Sequence, residues 1–198
     1  MPKLPLDDPL DWFRIWLDEA TESAQPQPTA MSLATVDSNA RPTVRIVLLK
    51  SFGRKGFVFY TNLKSAKADQ LRANPHAGLC FLWEAVGRQV RIDGRAELID
   101  DDTADAYFAS RPRGSQIGAW ASRQSRQLDD RQTLQQRVEK YGDQFDGQPV
   151  PRPEFWSGYR VVPRRFEFWQ LRDDRLHDRW RFDRVGDGWK WERARLYP

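Results

Sequence analysis

The sequence predicts a mostly β protein with added α: an antiparallel barrel whose helices pack against its outside. Three observations carry that reading. Runs rich in β-branched and aromatic residues recur, about eight in all, each bounded by Gly, Asn, Asp or Pro turn signals. Stretches with helical spacing are few and fall between those runs, which otherwise follow one another in meander order. The 198 residues are 39% hydrophobic and 30% charged, enough for one domain (1–198) with a substantial core and too apolar for general disorder.

In chain order, Asp8-Pro9 starts a helix, with an N-cap acceptor followed by proline at the first helical position. Leu10, Phe13, Trp16, Leu17 and Ala20 then repeat at helical spacing, so an amphipathic helix is expected to about Glu22. Ser23 to Thr29 carries two prolines and reads as a linker, so that 1–28 is an N-terminal helix and linker. Strands are expected at Met31 to Val36, at Thr43 to Lys50 after a turn around Ser38-Asn39, and at Phe57 to Thr61 after Gly53 to Gly56. Ser65 caps a short helix that Asn74-Pro75 stops after Ala73.

Ala77 to Trp83 is continuously apolar, as in a strand buried on both faces. Gln89 to Leu98 alternates, sending Val90, Ile92, Gly94, Ala96 and Leu98 to the core. A helix over Asp101 to Ser110 and a more polar one over Asp129 to Tyr141 precede a proline-bearing loop, Gly142 to Glu154. The remainder is β again: Gly158 to Val162, Arg165 to Leu171, Leu176 to Asp183 and Trp189 to Arg195, with turn signals at Asp173-Asp174 and Gly186-Asp187-Gly188.

A formal charge of +4, with 32 basic residues of which seven are lysine, implies an anionic partner. Arginine matches phosphate oxygens with a planar fork of donors, although a GC-rich genome gives the same bias. The nine tryptophans can stack on a planar ring or fill a core. Cys80 is the only cysteine, so no internal disulfide forms; its apolar neighbours point to a buried, inert thiol. No run has the length of a membrane span and Met1 to Pro9 lacks a signal-peptide core, so a cytoplasmic protein is expected. There is no Gly-x-Gly-x-x-Gly after a strand, no Walker-type loop and no metal-spaced Cys/His cluster.

Two stretches hold the candidate chemistry. Arg111-Pro112-Arg113-Gly114-Ser115-Gln116-Ile117-Gly118-Ala119-Trp120, continuing through Ser122-Arg123-Gln124-Ser125-Arg126, is dense in guanidinium, hydroxyl, amide and glycine. It reads either as a wall that grips a phosphorylated small molecule or as a polar surface loop. On the expected strand from Leu176, alternation sends Arg175, His177 and Arg179 to one face, which either meets an anion or faces solvent. His76, after Asn-Pro, reads as a surface residue. What remains is metal-free chemistry on a phosphorylated ligand, with an organic cofactor as the reactive agent.

Separate blocks of the chain then resemble the pyridoxamine 5′-phosphate oxidase family from about Asp8 to Pro198. They are Arg45-Ile46-Val47-Leu48-Leu49-Lys50, Phe59-Tyr60-Thr61-Asn62, Arg88-Gln89-Val90, Tyr107-Phe108 with Ser110 through Trp120, Gln124-Ser125, Glu167-Phe168-Trp169-Gln170, Arg175 through Arg179, and the ending from Trp189-Lys190 to Leu196-Tyr197-Pro198. The resemblance implies an FMN-binding split barrel and a homodimer with FMN at the subunit interface, where strands of 156–198 complete the site. It implies FMN contacts at Arg45, Ile46, Val47, Leu48, Leu49, Lys50, Tyr60, Thr61, Lys67, Gln89, Gln124, Ser125, Trp169 and Arg179. Lys50, Tyr107, Arg111 and Ser115 are implied around the substrate phosphate, and Arg175, Leu176 and His177 near its pyridine ring, with Arg175 as the main electrostatic group and His177 as its partner. The implied reaction oxidises pyridoxamine and pyridoxine 5′-phosphates to pyridoxal 5′-phosphate, with O2 as final acceptor and hydrogen peroxide as product.

Three departures from the family pattern stand out: few residues precede Asp8, where many members have a basic extension; Gln27 stands where members often carry an acidic residue; and Ala66 stands where relatives usually carry an arginine. The Ala66 departure raises the expectation that Lys64 supplies the missing charge. Two other functions fit less of the sequence: a related flavin oxidase acting on a larger aromatic of the phenazine-precursor type, and a basic β-barrel that binds nucleic acid, disfavoured because the charges are dispersed.

Overall fold

The computed structural model describes residues 7–198; residues 1–6, where most of the stretch examined for a signal core falls, lie outside the described residues. Its helices are α1 (Pro9–Glu22), α2 (Ala66–Ala73), α3 (Asp101–Ser110), α4 (Arg113–Ala121) and α5 (Arg131–Gln144). Its strands are β1 (Ala30–Val36), β2 (Pro42–Leu48), β3 (Ser51–Gly53), β4 (Gly56–Asn62), β5 (His76–Trp83), β6 (Arg88–Leu98), β7 (Trp156–Gln170), β8 (Asp178–Arg184) and β9 (Trp191–Leu196). All strand pairs are antiparallel, in the order β2-β1-β5-β6-β7-β4-β3, with β8 and β9 attached to β7.

The long strand β7 organises this sheet. One of its edges pairs with β6 from Tyr159 to Gln170, while the other gives Trp156–Val161 to β4 and Arg165–Gln170 to β8. The change of partner brackets Pro163, which has no N–H to donate and so fits where a ladder is interrupted. β6 shifts register opposite this point, between Asp93 and Gly94. A Cβ on Gly94 would lie 2.3 Å from the Val162 carbonyl oxygen, so the close approach of the two strands requires glycine. The sequence-based reading divided this strand in two and omitted β3.

Helix α1 closes the core. Asp8 caps it, its Oδ1 accepting from the Leu10 N–H at 2.9 Å and its Oδ2 from the Trp189 indole N–H at 2.9 Å, which ties the helix start to the β8–β9 hairpin. Phe13 meets Phe52, Phe57 and Phe81 edge-on with centroids 4.8–5.0 Å apart, and Trp12 packs on Phe168 and Phe182. A second cluster, Phe108, Ile117, Phe145, Val150 and Trp156, fastens α3, α4 and α5 to the barrel near β4.

Several expectations need correction. Arg111 to Trp120 is no loop: α4 occupies it, with Pro112 at its N-cap and Ile117 and Ala121 buried four residues apart. β5 is buried on one face only, since Leu82 is exposed and Cys80 half-buried; burial pushes the Cys80 thiol pKa up. Leu98 is 55% exposed, and Ile99 takes the core position instead. β8 begins at Asp178, so Arg175 and His177 do not share a strand face with Arg179. Asp174 and Arg175 instead take left-handed backbone at φ 53° and 61°, a conformation non-glycine residues adopt at a cost.

Candidate active site

A cleft of about 900 Å³ opens between β2, β4, α2, α3 and α4. Each element supplies side chains by its own periodicity. From α4, Ser115, Gly118 and Ala119 come at i, i+3 and i+4, one helical face with no bulky group on it, and Ser122 follows at the C-cap. β2 ends the sheet order and lines the cleft with Arg45, Ile46, Val47 and Leu48; β4 adds Tyr60, Thr61 and Asn62. Lys50, Lys67, Tyr107, Ser110, Arg111, Pro112, Gln124 and Trp156 complete it.

Its electrostatics are one-sided. Arg45, Lys50, Lys67 and Arg111 line the cleft and no carboxylate does. Among the described residues none of these four forms an ion pair. Lys67 Nζ donates instead to neutral oxygens: Gln124 Oε1 at 2.9 Å, Thr61 Oγ1 at 3.2 Å and Ser65 Oγ at 3.3 Å. Ser65 is thus the N-cap by position, but its hydroxyl makes no capping bond. Burial, then the charge of Arg45, lowers the Lys67 pKa.

Arg111 ends α3 with its guanidinium 4.7 Å over the Trp156 ring and 5.5 Å over Phe108. Its Nη1 is buried and has no hydrogen-bond partner, and burial lowers its pKa. Gln116 fixes the corner beneath, donating to the Phe108 carbonyl at 2.9 Å and the Ala109 carbonyl at 3.3 Å. Trp156 also stacks on Tyr60, which stacks on Tyr107 at 3.9 Å, and Lys50 Nζ stands 6.0 Å over Tyr107. An orphaned guanidinium donor beside three other cations fits an organic phosphate.

The other expected residues lie elsewhere. Leu49 is a core side chain and offers the cleft no side-chain contact. Ser125, in left-handed backbone at φ 69°, follows Gln124 but does not line the cleft. Gln89, Trp169 and Arg179 stand in register across β6, β7 and β8. His177 joins them, its ring 4.5 Å from that of Trp169 and its Nδ1 accepting from the Arg172 N–H at 3.3 Å. Arg179 donates to Glu167 Oε1 through Nη2 at 2.7 Å and Nε at 3.0 Å. Arg175 and Leu176 protrude beside this group, Leu176 being 69% exposed. One chain therefore carries two separate groups of expected residues.

Lys64 does not line the cleft; its Nζ sits 5.2 Å over the Phe155 ring, in a smaller neighbouring pocket. Arg113 is turned away too, donating to the Gln148 and Phe145 carbonyls. Trp156 was missed by sequence reasoning, its only signal being an aromatic at the start of a strand.

A family model described as Pyridoxamine 5′-phosphate oxidase matches residues 17–145, and another, Pyridoxine 5′-phosphate oxidase C-terminal dimerisation region, matches residues 156–198. The chain belongs to the pyridoxamine 5′-phosphate oxidase family. A pyridoxine/pyridoxamine 5′-phosphate oxidase from Synechocystis sp. is 52% identical over 97% of this chain and 89% of the relative. One from Sphingopyxis alaskensis is 53% identical, with 97% and 88% covered. Among solved structures, PhzG from Burkholderia lata in complex with tetrahydrophenazine-1-carboxylic acid is 30% identical, with a TM-score of 0.93 over 100% of this chain and 97% of that one. The fold is accordingly the split barrel of the pyridoxamine 5′-phosphate oxidase family, and the cleft's cationic end has the donors that the phosphate of its cofactor, FMN, requires.

Proposed function

We propose that this chain catalyses the FMN-dependent oxidation of pyridoxine 5′-phosphate and pyridoxamine 5′-phosphate to pyridoxal 5′-phosphate. The observation that carries the reading is a single cleft with four cations, no carboxylate and an orphaned arginine donor, in a chain about half identical to enzymes of that name. When bound, FMN would supply the two-electron chemistry, as acceptor of a hydride from the substrate's exocyclic carbon, with O2 as the final oxidant and hydrogen peroxide as product; the amine substrate also takes up water and releases ammonia. Lys67 and Arg45 hold the cofactor phosphate, with Thr61 and Gln124 fixing Lys67 between them. Arg111, Ser115, Lys50 and Tyr107 hold the substrate phosphate, the Arg111 guanidinium resting over the Trp156 ring. These contacts anchor the end of the substrate that does not react and so fix the end that does.

The second group, Gln89, Trp169, Arg175, Leu176, His177 and Arg179, acts in the cleft of a second copy in a homodimer. Three facts support this: these residues do not line their own chain's cleft, Arg175 and Leu176 protrude, and residues 156–198 match a dimerisation region. Arg175 orients the pyridine ring and stabilises developing charge, with His177 beside it. Among the described residues no helix is long and apolar enough to cross a membrane, which accords with action in the cytoplasm.

The test is to load the purified chain with FMN and follow pyridoxal 5′-phosphate and peroxide formation from each phosphorylated vitamer under air. Failure to oxidise either one would refute the assignment. The likeness to PhzG favours a second reading, oxidation of a larger aromatic acid. That reading requires turnover of a reduced phenazine carboxylate in preference to pyridoxine 5′-phosphate in the same assay.

A further inference from the structure

Arginines elsewhere in the described chain are commonly held by carboxylates: Arg152 lies between Asp101 and Asp105, Arg172 meets Asp178, and Arg179 meets Glu167. Arg45 is held differently. Its Nη1 donates to the Leu33 carbonyl at 3.1 Å and to Thr35 Oγ1 at 2.5 Å, its Nη2 to Thr43 Oγ1 at 2.7 Å and to Gln70 Oε1 at 3.1 Å. Every acceptor is neutral. Gln70 Oε1 is the hub, since Thr35 Oγ1 and Thr43 Oγ1 also donate to it at 2.6 and 2.8 Å. The Arg45 guanidinium can only donate, so the amide atom it meets is the oxygen.

We propose that Gln70 is a positioning residue for the cofactor phosphate, fixing the Arg45 guanidinium through a neutral oxygen so that its whole positive charge remains available to the anion. The proposal rests on the reading that this end of the cleft holds the FMN phosphate. The neighbouring cation is treated the same way, because Gln124 Oε1 takes from Lys67 the bond that Gln70 Oε1 takes from Arg45. Charge is scarce at this junction: Ala66 brings none, and Lys64 stands over Phe155. A glutamate at position 70 would have nearly the same shape and accept the same bonds, yet would pair with Arg45 and cancel it. Geometry and charge are thereby separable by one substitution.

The experiment titrates the full chain with FMN and, separately, with riboflavin, which lacks the phosphate, at low and high salt, reading flavin fluorescence. Wild type is expected to prefer FMN strongly. Gln70→Glu should reduce that preference about tenfold or more, the worth of one charge-assisted phosphate bond, while riboflavin affinity stays the same and the salt dependence of FMN binding flattens. Gln70→Met, which removes the acceptor and adds no charge, should also reduce the preference but keep more of the salt dependence. It decides the matter if Gln70→Glu does not fold. A wild-type preference retained in Gln70→Glu, or in Gln70→Met should that variant alone fold, overturns the proposal. A wild type indifferent to the phosphate overturns the underlying reading and the proposal with it.

Discussion

Replacing Arg111 with methionine should separate ligand binding from stability. Methionine keeps an apolar stem over Trp156 and Phe108 and removes the charge and all donors. Without ligand, two terms oppose each other. The cation–π contact with Trp156, at 4.7 Å, contributes roughly 0.5–2 kcal/mol. The buried Nη1 without a partner costs about 1–3 kcal/mol, and the substitution relieves it. The balance runs from about 1 kcal/mol destabilising to about 2.5 kcal/mol stabilising, so Tm should fall by no more than about 2–4 °C in a chain of this size. With pyridoxine 5′-phosphate, at least one charge-assisted bond worth about 1.5–3 kcal/mol is lost, so kcat/KM should fall about ten- to 150-fold. Most of the loss belongs in KM, because the phosphate is the same in ground and transition states. Unphosphorylated pyridoxine, which the cationic cleft is expected to make a poor substrate, should lose little more. Melting and steady-state peroxide release check both halves. An equal loss for the two substrates, or a fall in Tm beyond about 8 °C with kcat/KM unchanged, would mark Arg111 as structural and refute the reasoning.

Three further outcomes are expected. Burial, then Arg45, lowers the Lys67 pKa below 10.5, so its charged form is the disfavoured one in the ligand-free protein; stability should therefore rise as pH climbs through the lowered pKa toward 10.5, while FMN affinity, which needs the ammonium, falls over the same window. Parallel pH curves for FMN and riboflavin would remove Lys67 from the phosphate. Gly94→Ala places a Cβ 2.3 Å from the Val162 carbonyl and should cost about 1–3 kcal/mol, lowering Tm by about 2–12 °C; an unchanged melt would mean the β6–β7 crossing has slack. Equal mixtures of Arg111→Met and Arg175→Ala chains, refolded together, should recover about a quarter of wild-type activity, since half the dimers are mixed and each has one intact site; no recovery would place both residues in one chain's site.

The sequence was most informative where chemistry is local. Arg111, Ser115 and Gln124 fall within one polar stretch, and the structure puts all three on the cleft. The helix between them, which presents Ser115, was not legible, because a proline and two glycines mask a buried apolar face of only Ile117 and Ala121. Trp156 and Gln70 were missed for another reason: their roles come from long-range neighbours, Arg111 for one and Thr35, Thr43 and Arg45 for the other. The misplacement of Arg175 and His177 shows the weakness of period-two patterns. Alternation continued through the residues of a turn, and nothing in Asp174-Arg175 announces left-handed backbone as a glycine would. β5 misled in the opposite direction. An apolar run was taken to mean burial on both faces, whereas Leu82 on β5, like Val44 and Ile46 on the edge strand β2, is apolar and exposed in the single chain.

That exposure bears on how the two groups of site residues divide their work. In the cleft, Arg45 and Lys67 are held by amide, hydroxyl and carbonyl oxygens, and Arg111 by rings, so its charge is conserved for a ligand. In the second group the charges are spent internally: Glu167 meets Arg179, and Asp178, its carboxyl held below the usual range first by the bond from Arg172, meets Arg172 and Arg195. Arg175 is the exception, making no hydrogen bond or ion pair among the described residues and standing exposed on a left-handed turn beside Leu176. A rigid, internally neutralised platform that extends one free guanidinium suits delivery of a single charge into a neighbouring anion-binding cleft. On the proposed assignment the cleft fixes the phosphates, and the platform fixes the pyridine ring. If, as proposed, the two groups meet only across a dimer, activity should follow the dimer concentration on dilution; activity that persists undiminished in the monomer would refute the division.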